Sequence, residues 1–445
     1  MSENMPESLY FRGGVHIHQG EELSNKAAIK DAPLLDKYIV ALQQHIGAPA
    51  KLLVKKGDEV KKGQLLAEAG GFVSAPIHSP TSGKVTAIKM NPGPMGTDIN
   101  SVEITSDGND EWGSDLKPIE NWQDADPAEL KQRVADAGIV GMGGAAFPAF
   151  VKLSPPPDKK IDTLVLNGAE CEPYLTADNR LMLEATEKVV EGAAILAKIL
   201  GVSRVFIGVE DNKPEAIKTL KEIGEKYNVK TQALRVRYPQ GAEKQLIYAL
   251  TGRKVPNGGL PMEAGCVVQN VGTAAAICEA VKEGKPLIER ITTITGEVVT
   301  NPGNWRLRVG TPVFKALELA GGVKEAPQKV IMGGPMMGFT QTTLDITIMK
   351  NSSGILLLPK DHVVQYKNQA CIKCGKCVDV CPMDLMPNTL SVSIENERFD
   401  LAEKHYIMSC IECGSCAYVC PAYRPLVQHF RRAKGEVIAK RRKQQ

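Results

Sequence analysis

Stretches of different hydrophobic periodicity follow one another along the chain. Between residues 36 and 105, short apolar pairs are punctuated by Gly57, Gly63 and Gly83 in VKKGDEV (54–60), KKGQLL (61–66) and PIHSPTSGKVTAI (76–88). Glycines at such short intervals turn brief strands back on one another, so the stretch predicts a small all-β module. From about 125 to 285 the pattern changes. TLVLN (163–167), RVFIGV (204–209), QALRVR (232–237) and CVVQNV (266–271) are short apolar runs suited to buried strands. Between them, NRLMLEATEKVVEGAAILAKILG (179–201) has apolar residues at helical spacing and stops on Gly201, and KPEAIKTLKEIGEKYN and AEKQLIYALTG repeat that pattern. The alternation predicts an α/β domain with a substantially parallel sheet, a class that binds ligands beyond the carboxyl ends of its strands. Residues 288–340 switch again, with ITTITGEVV as a strand, TPVFKALELAGGV as a short helix and KVIMGGPMMG as a strand entering a turn. They predict a small α+β module, followed by a cysteine-rich region and a basic tail.

The composition keeps this picture and removes some functions from it. A chain of 445 residues holds two to four domains, and 43% hydrophobic with 24% charged residues is the balance of an ordinary globular protein. With 5% aromatic residues and a net charge of +3, neither a base-stacking surface nor a polyanionic partner is indicated, so no nucleic-acid role is expected. The start, MSENMPESLYFRGGVHIHQG, lacks the basic and apolar regions of a signal peptide. No apolar run approaches the roughly 18 residues that suggest a membrane-spanning helix, so the chain is expected in the cytosol. The tail from Gln428 sets Arg431, Arg432, Lys434, Lys440, Arg441, Arg442 and Lys443 against the single acid Glu436. Two readings stay open for it: a solvated, frayed terminus, or a docking segment for anionic lipid or an acidic subunit.

The cysteines carry the most specific chemistry. Of eleven, eight lie between 371 and 420. Cys371, Cys374 and Cys377, followed by Cys381-Pro382, repeat as Cys410, Cys413 and Cys416, followed by Cys420-Pro421. Each run has the spacing C-x2-C-x2-C-x3-C-P, in which three thiolates wrap a 4Fe-4S cluster and the fourth serves the other cluster of a pair. The spacing therefore assigns Cys371, Cys374, Cys377 and Cys420 to one cluster, and Cys410, Cys413, Cys416 and Cys381 to the second. Zinc is the competing metal, but its four-cysteine sites use two C-x2-C knuckles held well apart. A helix expected in ERFDLAEKHYIMS, between the motifs, points to a helical variant of the two-cluster ferredoxin. Cys171, Cys266 and Cys278 lack partners at ligand spacing and read as small buried hydrophobes.

A glycine-rich loop, GIVGMGGAAFPAFVK (138–152), precedes the first strand of the α/β domain, and NGAECEPY (167–174) ends that strand with Glu170 and Glu172. The loop matches neither the dinucleotide fingerprint nor the P-loop, and taken alone it fits an ordinary turn as well as a phosphate cradle. In order, GMGGAAFP, NGAECEPY, YPQGAEKQL (238–246) and VVQNVGTAAAI (267–277) resemble the flavoprotein subunit of respiratory complex I. The 36–105 module resembles the barrel-sandwich fold of biotinyl and lipoyl domains, although AEAGGFVSAP has no lysine to carry a swinging arm. With the two-cluster ferredoxin behind, nearly the whole chain resembles the RnfC family, peripheral subunits of the Rnf membrane complex.

The resemblance implies a barrel-sandwich module (1–115), a Rossmann-like α/β domain for FMN and NADH (116–285), an α+β β-grasp (SLBB) module serving as a packing element (286–350), a two-cluster ferredoxin domain (351–430) and a basic tail (431–445). It implies FMN contacts at Gly141, Gly143, Lys152, Asn167, Glu170, Tyr238, Gly241, Glu243 and Asn270, with Phe147, Glu172 and Glu243 near the nicotinamide nucleotide. Complex I has acids where Ala169 and Ala242 stand and asparagine where Gln269 stands. The implied activity is ferredoxin:NAD oxidoreduction through two 4Fe-4S clusters and FMN, coupled to ion movement. The implied partners are NAD(H), a ferredoxin-like cluster subunit, membrane subunits and, indirectly, ferredoxin, at the cytoplasmic face of a bacterial membrane. Two alternatives stand beside it: a cluster-bearing docking subunit with a decayed flavin site, and a soluble NADH-dependent flavoenzyme.

Overall fold

In a computed structural model of the chain, residues 11–113, 115–366 and 369–444 are described. The first ten residues, half of the stretch read for a signal peptide, lie outside them.

After β1 (Ile29–Asp31), the first module folds as two facing antiparallel sheets. One sheet has the order β2-β8-β7-β4, from β2 (Lys37–Ala41), β4 (Glu59–Val60), β7 (Gly83–Pro92) and β8 (Asp98–Ser106). The other has the order β3-β5-β6, from β3 (Lys51–Leu52), β5 (Leu65–Glu68) and β6 (Ile77–His78). Alternate residues point inward, and Tyr38, Val40, Leu66, Ile77, Val85, Val102 and Ile104 form the core between the sheets. Gly83 starts β7 where a Cβ would lie 2.0 Å from the Thr105 carbonyl oxygen, so only glycine fits.

The α/β domain opens with α1 (Pro127–Asp136), whose N-terminus the Asp126 side chain caps, and α2 (Ala149–Lys152). Its sheet has the order β11-β10-β9-β12, from β9 (Thr163–Asn167), β10 (Arg204–Glu210), β11 (Lys230–Leu234) and β12 (Cys266–Asn270), and every pair is parallel. Helices cover both faces, so β9, β10 and β12 are buried along most of their length, as continuous apolar runs predict. They are α3 (Ala177–Glu184), α4 (Thr186–Leu200), α5 (Pro214–Gly224), α6 (Glu243–Thr251) and α7 (Val271–Lys282). The stretch 179–201 is two helices rather than one: Ala185 leaves helical geometry at φ −135° and ψ 37°, and the Thr186 hydroxyl bonds back to the Met182 carbonyl. Gly201 ends α4 in the left-handed conformation.

The next sheet has the order β1-β14-β13-β17-β15-β16. Its strands are β13 (Glu289–Thr295), β14 (Gly303–Arg308), β15 (Lys329–Met332), β16 (Phe339–Gln341) and β17 (Gly354–Leu358), with α8 (Val313–Leu319) packed on one face. Two expected boundaries move here. β1 crosses over from the amino-terminal segment to pair with β14, and β17, beyond residue 350, lies between β13 and β15.

The cysteine-rich region is helical: α9 (Lys376–Asp379), α10 (Pro387–Glu395), α11 (Phe399–Lys404), α12 (Ser415–Tyr418) and α13 (Leu426–Gln444). Residues 431–444 are therefore no separate tail, because α13 runs continuously from Leu426 to Gln444. Phe430, Ala433 and Val437 bury one side of it, while Arg431 and Lys434 pair with Glu412, Arg432 with Glu397 and Arg441 with Glu403. Among the described residues no helix is long and apolar enough to cross a membrane.

The tightest approach in the α/β domain is α4 against α7, where a Cβ on Gly192 would lie 1.9 Å from the Ala274 carbonyl oxygen. Gly192→Ala should force the helices apart and cost about 1–3 kcal/mol of stability. Thermal melts of the two proteins side by side check this, and an unchanged midpoint would mean that the helices separate without penalty.

Candidate functional site

β9 and β12 end side by side, with Asn167 in register with Asn270. Asn167 Nδ2 donates to the Gly241 carbonyl at 2.8 Å. Asn270 caps α7, its Oδ1 accepting from the Gly272 N–H at 2.8 Å, while its Nδ2 donates to Asp178 at 2.7 Å. The glycine loop folds over this edge. Gly141 N–H bonds to the Phe147 carbonyl at 2.8 Å and closes the loop, and Met142 N–H bonds to the Thr273 hydroxyl of α7 at 3.0 Å. Gly143 is exposed at the tip, where a Cβ would lie 3.2 Å from the Asn270 side chain. Bare backbone thus stands over the start of a twelve-residue helix, the arrangement that receives a phosphate.

Several polar groups at this edge have no partner of their own. Both amide atoms of Gln240 are buried without a hydrogen bond, as is Nε2 of Gln269, and each residue adjoins an expected flavin contact, Gly241 or Asn270. Buried amides are normally satisfied, so these donors and acceptors are available to a ligand. The edge therefore fits a flavin phosphate and isoalloxazine in its donor set. Lys152 is not free: its ammonium bonds to Glu243 at 2.8 Å and to the Val268 carbonyl at 3.1 Å.

The two remaining acids have separate surroundings. Glu170, at φ +49°, accepts from the N–H groups of Asp178 and Asn179 at 2.7 and 2.8 Å, and burial followed by the adjacent Asp178 raises its pKa. Burial lifts Glu172 to about 7, against the Met336 N–H at 3.1 Å. Glu172 and Glu243, both expected near the nicotinamide, are held by different partners: Glu243 by Lys152, and Glu172 beside the Tyr238 hydroxyl at 3.4 Å. That hydroxyl donates to the Cys413 carbonyl at 2.8 Å.

The eight cysteines form two groups that cross the sequence repeats. Cys371, Cys374, Cys377 and Cys420 line one pocket. For the remaining four, the thiol charges that act most strongly on Cys416 are those of Cys413, Cys410 and Cys381, followed by Cys377, and Cys413 acts likewise on Cys381. The backbone turns alike in both repeats. Lys373 and Glu412 take φ +56° and +57°, aiming their N–H groups at Cys371 Sγ and Cys410 Sγ at 3.4 and 3.3 Å. Burial raises Cys416 well above its usual value and Cys410 to about 12, so thiolates here require a cationic partner. Among the described residues no three His, Cys, Asp or Glu side chains converge on a point suited to a single ion. A cubane, which takes each thiolate at a different iron, fits such spacing. The second group is the inner one: Cys413 shares an apolar cluster with Tyr238, Val15, Cys171 and Met336. The first opens outward, with Cys374 exposed and Ile372 66% exposed.

Residues 9–109 match the RnfC barrel sandwich hybrid domain, 134–279 the Nuo51 FMN-binding domain, 291–340 the SLBB domain and 363–436 the 4Fe-4S dicluster domain. The chain is 52% identical, over 96% of its length and 93% of the relative's, to a subunit of the proton-translocating ferredoxin:NAD(+) oxidoreductase complex of Clostridium ljungdahlii. The chain belongs to the RnfC family. A second RnfC relative, from the Na(+)-translocating ferredoxin:NAD(+) oxidoreductase complex of Acetobacterium woodii, is 49% identical over 97% of this chain and 98% of its own. A third, from the ion-translocating oxidoreductase complex of Rhodobacter capsulatus, is 42% identical over 97% of this chain and 84% of its own. Among solved structures, an NAD+-reducing [NiFe]-hydrogenase in the H2-reduced state shares the fold at TM-score 0.52 and 19% identity, over 72% of this chain and 64% of the hydrogenase chain. This RnfC chain thus carries an FMN-binding domain and a 4Fe-4S dicluster domain on a multidomain frame.

Sequence reading missed Asp178, which lies in a helix start with no motif, and the buried cation Lys213, whose ammonium meets Glu21 at 3.2 Å. It also missed Phe72. The turn that lacks the lipoyl-type lysine sets this ring edge-on to Phe150 at 6.1 Å, three residues after Phe147.

Because the folded pKa of Glu172 lies above its unfolded value, the native protein holds an extra proton between about pH 4.5 and 7. Stability tied to it is present below that window and is lost as pH rises through it, by up to about 3 kcal/mol. Glu172→Gln should flatten that part of the stability profile. Infrared titration should show the protonated-carboxyl absorption that vanishes near pH 7 in the parent, to which Glu210 also contributes, weakened by one carboxyl in the variant; an unchanged absorption would assign the proton elsewhere.

Proposed function

We propose that this chain is the NAD-side subunit of a membrane-bound, ion-translocating ferredoxin:NAD oxidoreductase, passing electrons between reduced ferredoxin and NAD through two 4Fe-4S clusters and FMN. It sits as a peripheral subunit on the cytoplasmic face of a bacterial membrane. A ferredoxin-like cluster subunit meets its outer cysteine group, and membrane subunits couple the reaction to ion movement. The Rossmann-like and β-grasp character of the central domains belongs to the same reading.

The observation that carries it is the contact between Tyr238, an FMN-lining position, and the carbonyl of Cys413, an inner cluster ligand. Bound flavin supplies exchange between two-electron hydride chemistry and one-electron carriers. The chain's own residues supply the rest. Gly141 and Gly143 let the backbone approach the phosphate side, and the Lys152–Glu243 pair presents a cation beside it. Asn167, Glu170, Gly241 and Asn270 hold the floor, and Phe147 covers the nucleotide side. Tyr238, Cys171 and Met336 exclude water between that floor and the inner group. Glu172, half protonated near neutral pH, holds a proton beside Tyr238. Cys410, Cys413, Cys416 and Cys381 bind the inner cluster, and Cys371, Cys374, Cys377 and Cys420 the outer one. The exposed Ile372, flanked by Lys373 and Lys376, gives the outer group an apolar and basic rim suited to an acidic redox partner.

Purified anaerobically and reconstituted, the chain should hold one FMN and reduce a dye with NADH; a chain with both clusters but neither flavin nor activity would favour a docking subunit instead. Cys381→Ala should remove the inner cluster signal in electron paramagnetic resonance and spare the outer one, and Cys420→Ala the reverse. Loss of the cluster belonging to the mutated residue's own repeat would refute crossed ligation.

A further inference from the structure

Arg290 stands on β13 and falls between the segments matched to the FMN-binding and SLBB domains, 134–279 and 291–340. It is 3% exposed. Its Nη1 donates to the Met142 carbonyl at 3.1 Å and to the Lys350 carbonyl at 3.2 Å, and its Nε donates to the Ile291 carbonyl at 3.0 Å. Met142 is the residue between Gly141 and Gly143, and its N–H is already tied to Thr273. The loop residue flanked by the two expected FMN contacts is therefore clamped on both sides, by α7 through its N–H and by Arg290 through its carbonyl. Lys350 extends the clamp: it is 1% exposed and its ammonium donates to the Pro76 carbonyl of the first module at 2.8 Å and the Gly138 carbonyl at 2.7 Å.

Charge points the same way. Glu170 and Asp178 are half-buried side by side, the Asp178 N–H donating to the Glu170 carboxylate at 2.7 Å, and Asp178 orients Asn270 by accepting from its Nδ2. Arg290 lines one cavity with Met142 and Asp178, and together with Lys213 it supplies the positive charge that acts on this pair, so β13 provides one of the two cations.

We propose that Arg290 is a positioning residue of the flavin site, fixing the glycine loop through the Met142 carbonyl and compensating the Glu170–Asp178 pair, so that the β13 sheet forms part of the site and is more than a packing element. The inference rests on the FMN reading above, but its first readout does not. Lysine keeps the charge but has no second donor nitrogen along its stem, so it loses the Nε bond to the Ile291 carbonyl that anchors the guanidinium while Nη1 spans the Met142 and Lys350 carbonyls. In the full chain, Arg290→Lys should raise amide hydrogen exchange across residues 140–148 and weaken FMN binding, each about tenfold, as for loss of one charge-assisted hydrogen bond. Arg290→Met tests charge. It should lower the melting temperature, and adding Asp178→Asn should recover that temperature without restoring loop protection or flavin affinity beyond Asp178→Asn alone. Parent-like exchange and affinity in Arg290→Lys, or full recovery of both in the double variant, would overturn the proposal. If the parent chain itself binds no FMN, the functional reading fails, while the exchange comparison still decides the role of Arg290.

Discussion

The carboxyl edge of the parallel sheet gathers four buried or half-buried acids, Glu170, Glu172, Asp178 and Glu210, and the arrangement of the chain follows from the partners they need. Glu170, Glu172, Asp178 and Glu210 all have raised pKa values there, each chiefly through burial. Leaving one such group unpaired costs several kcal/mol. The compensation arrives from outside the α/β domain as well as within it. β13 sends Arg290 and the turn after β15 sends the Met336 N–H, while within the domain Lys213 supplies a buried cation whose ammonium the amino-terminal Glu21 holds in place. The same amino-terminal segment bonds to the cysteine region, with Gly14 N–H on the Val380 carbonyl and Val15 exchanging two backbone bonds with Tyr238. An electrostatic requirement of the site therefore also holds the modules together.

This arrangement explains what the sequence made legible. Strands buried on both faces announce themselves as continuous apolar runs, and TLVLN became β9 with the expected bounds. Cysteine spacing carries its own geometry: Cys371, Cys374, Cys377 and Cys420, which it groups across the repeats, line one pocket. Asn167 and Asn270, both expected flavin contacts, stand side by side because parallel strands in register end together. What escaped depends on partners distant in sequence. Arg290, Lys350 and Lys213 look like surface cations in one dimension, and burial is the property that gives them a role. β17 was placed with the cysteine region because nothing local says that GILLL pairs with a strand about sixty residues earlier. Both readings of the tail, frayed terminus and docking segment, overlooked that Arg431, Arg432, Lys434 and Arg441 pair with Glu397, Glu403 and Glu412, acids that lie outside it.

The order of the redox groups also comes from packing. Tyr238 and Cys413 share an apolar cluster that excludes water, whereas Cys374 and Ile372 face solvent. On the proposed function, a buried inner group and an exposed outer group would set the order in which electrons pass between partner and nucleotide, with Glu172 at the inner end.

The most direct test of that order is anaerobic reduction by NADH, followed by freeze-quench electron paramagnetic resonance in the parent and in Cys381→Ala. Both clusters should be reduced in the parent. In the variant the outer cluster should be present but no longer reduced on the same timescale. Outer-cluster reduction at the parent rate without the inner cluster would contradict this order.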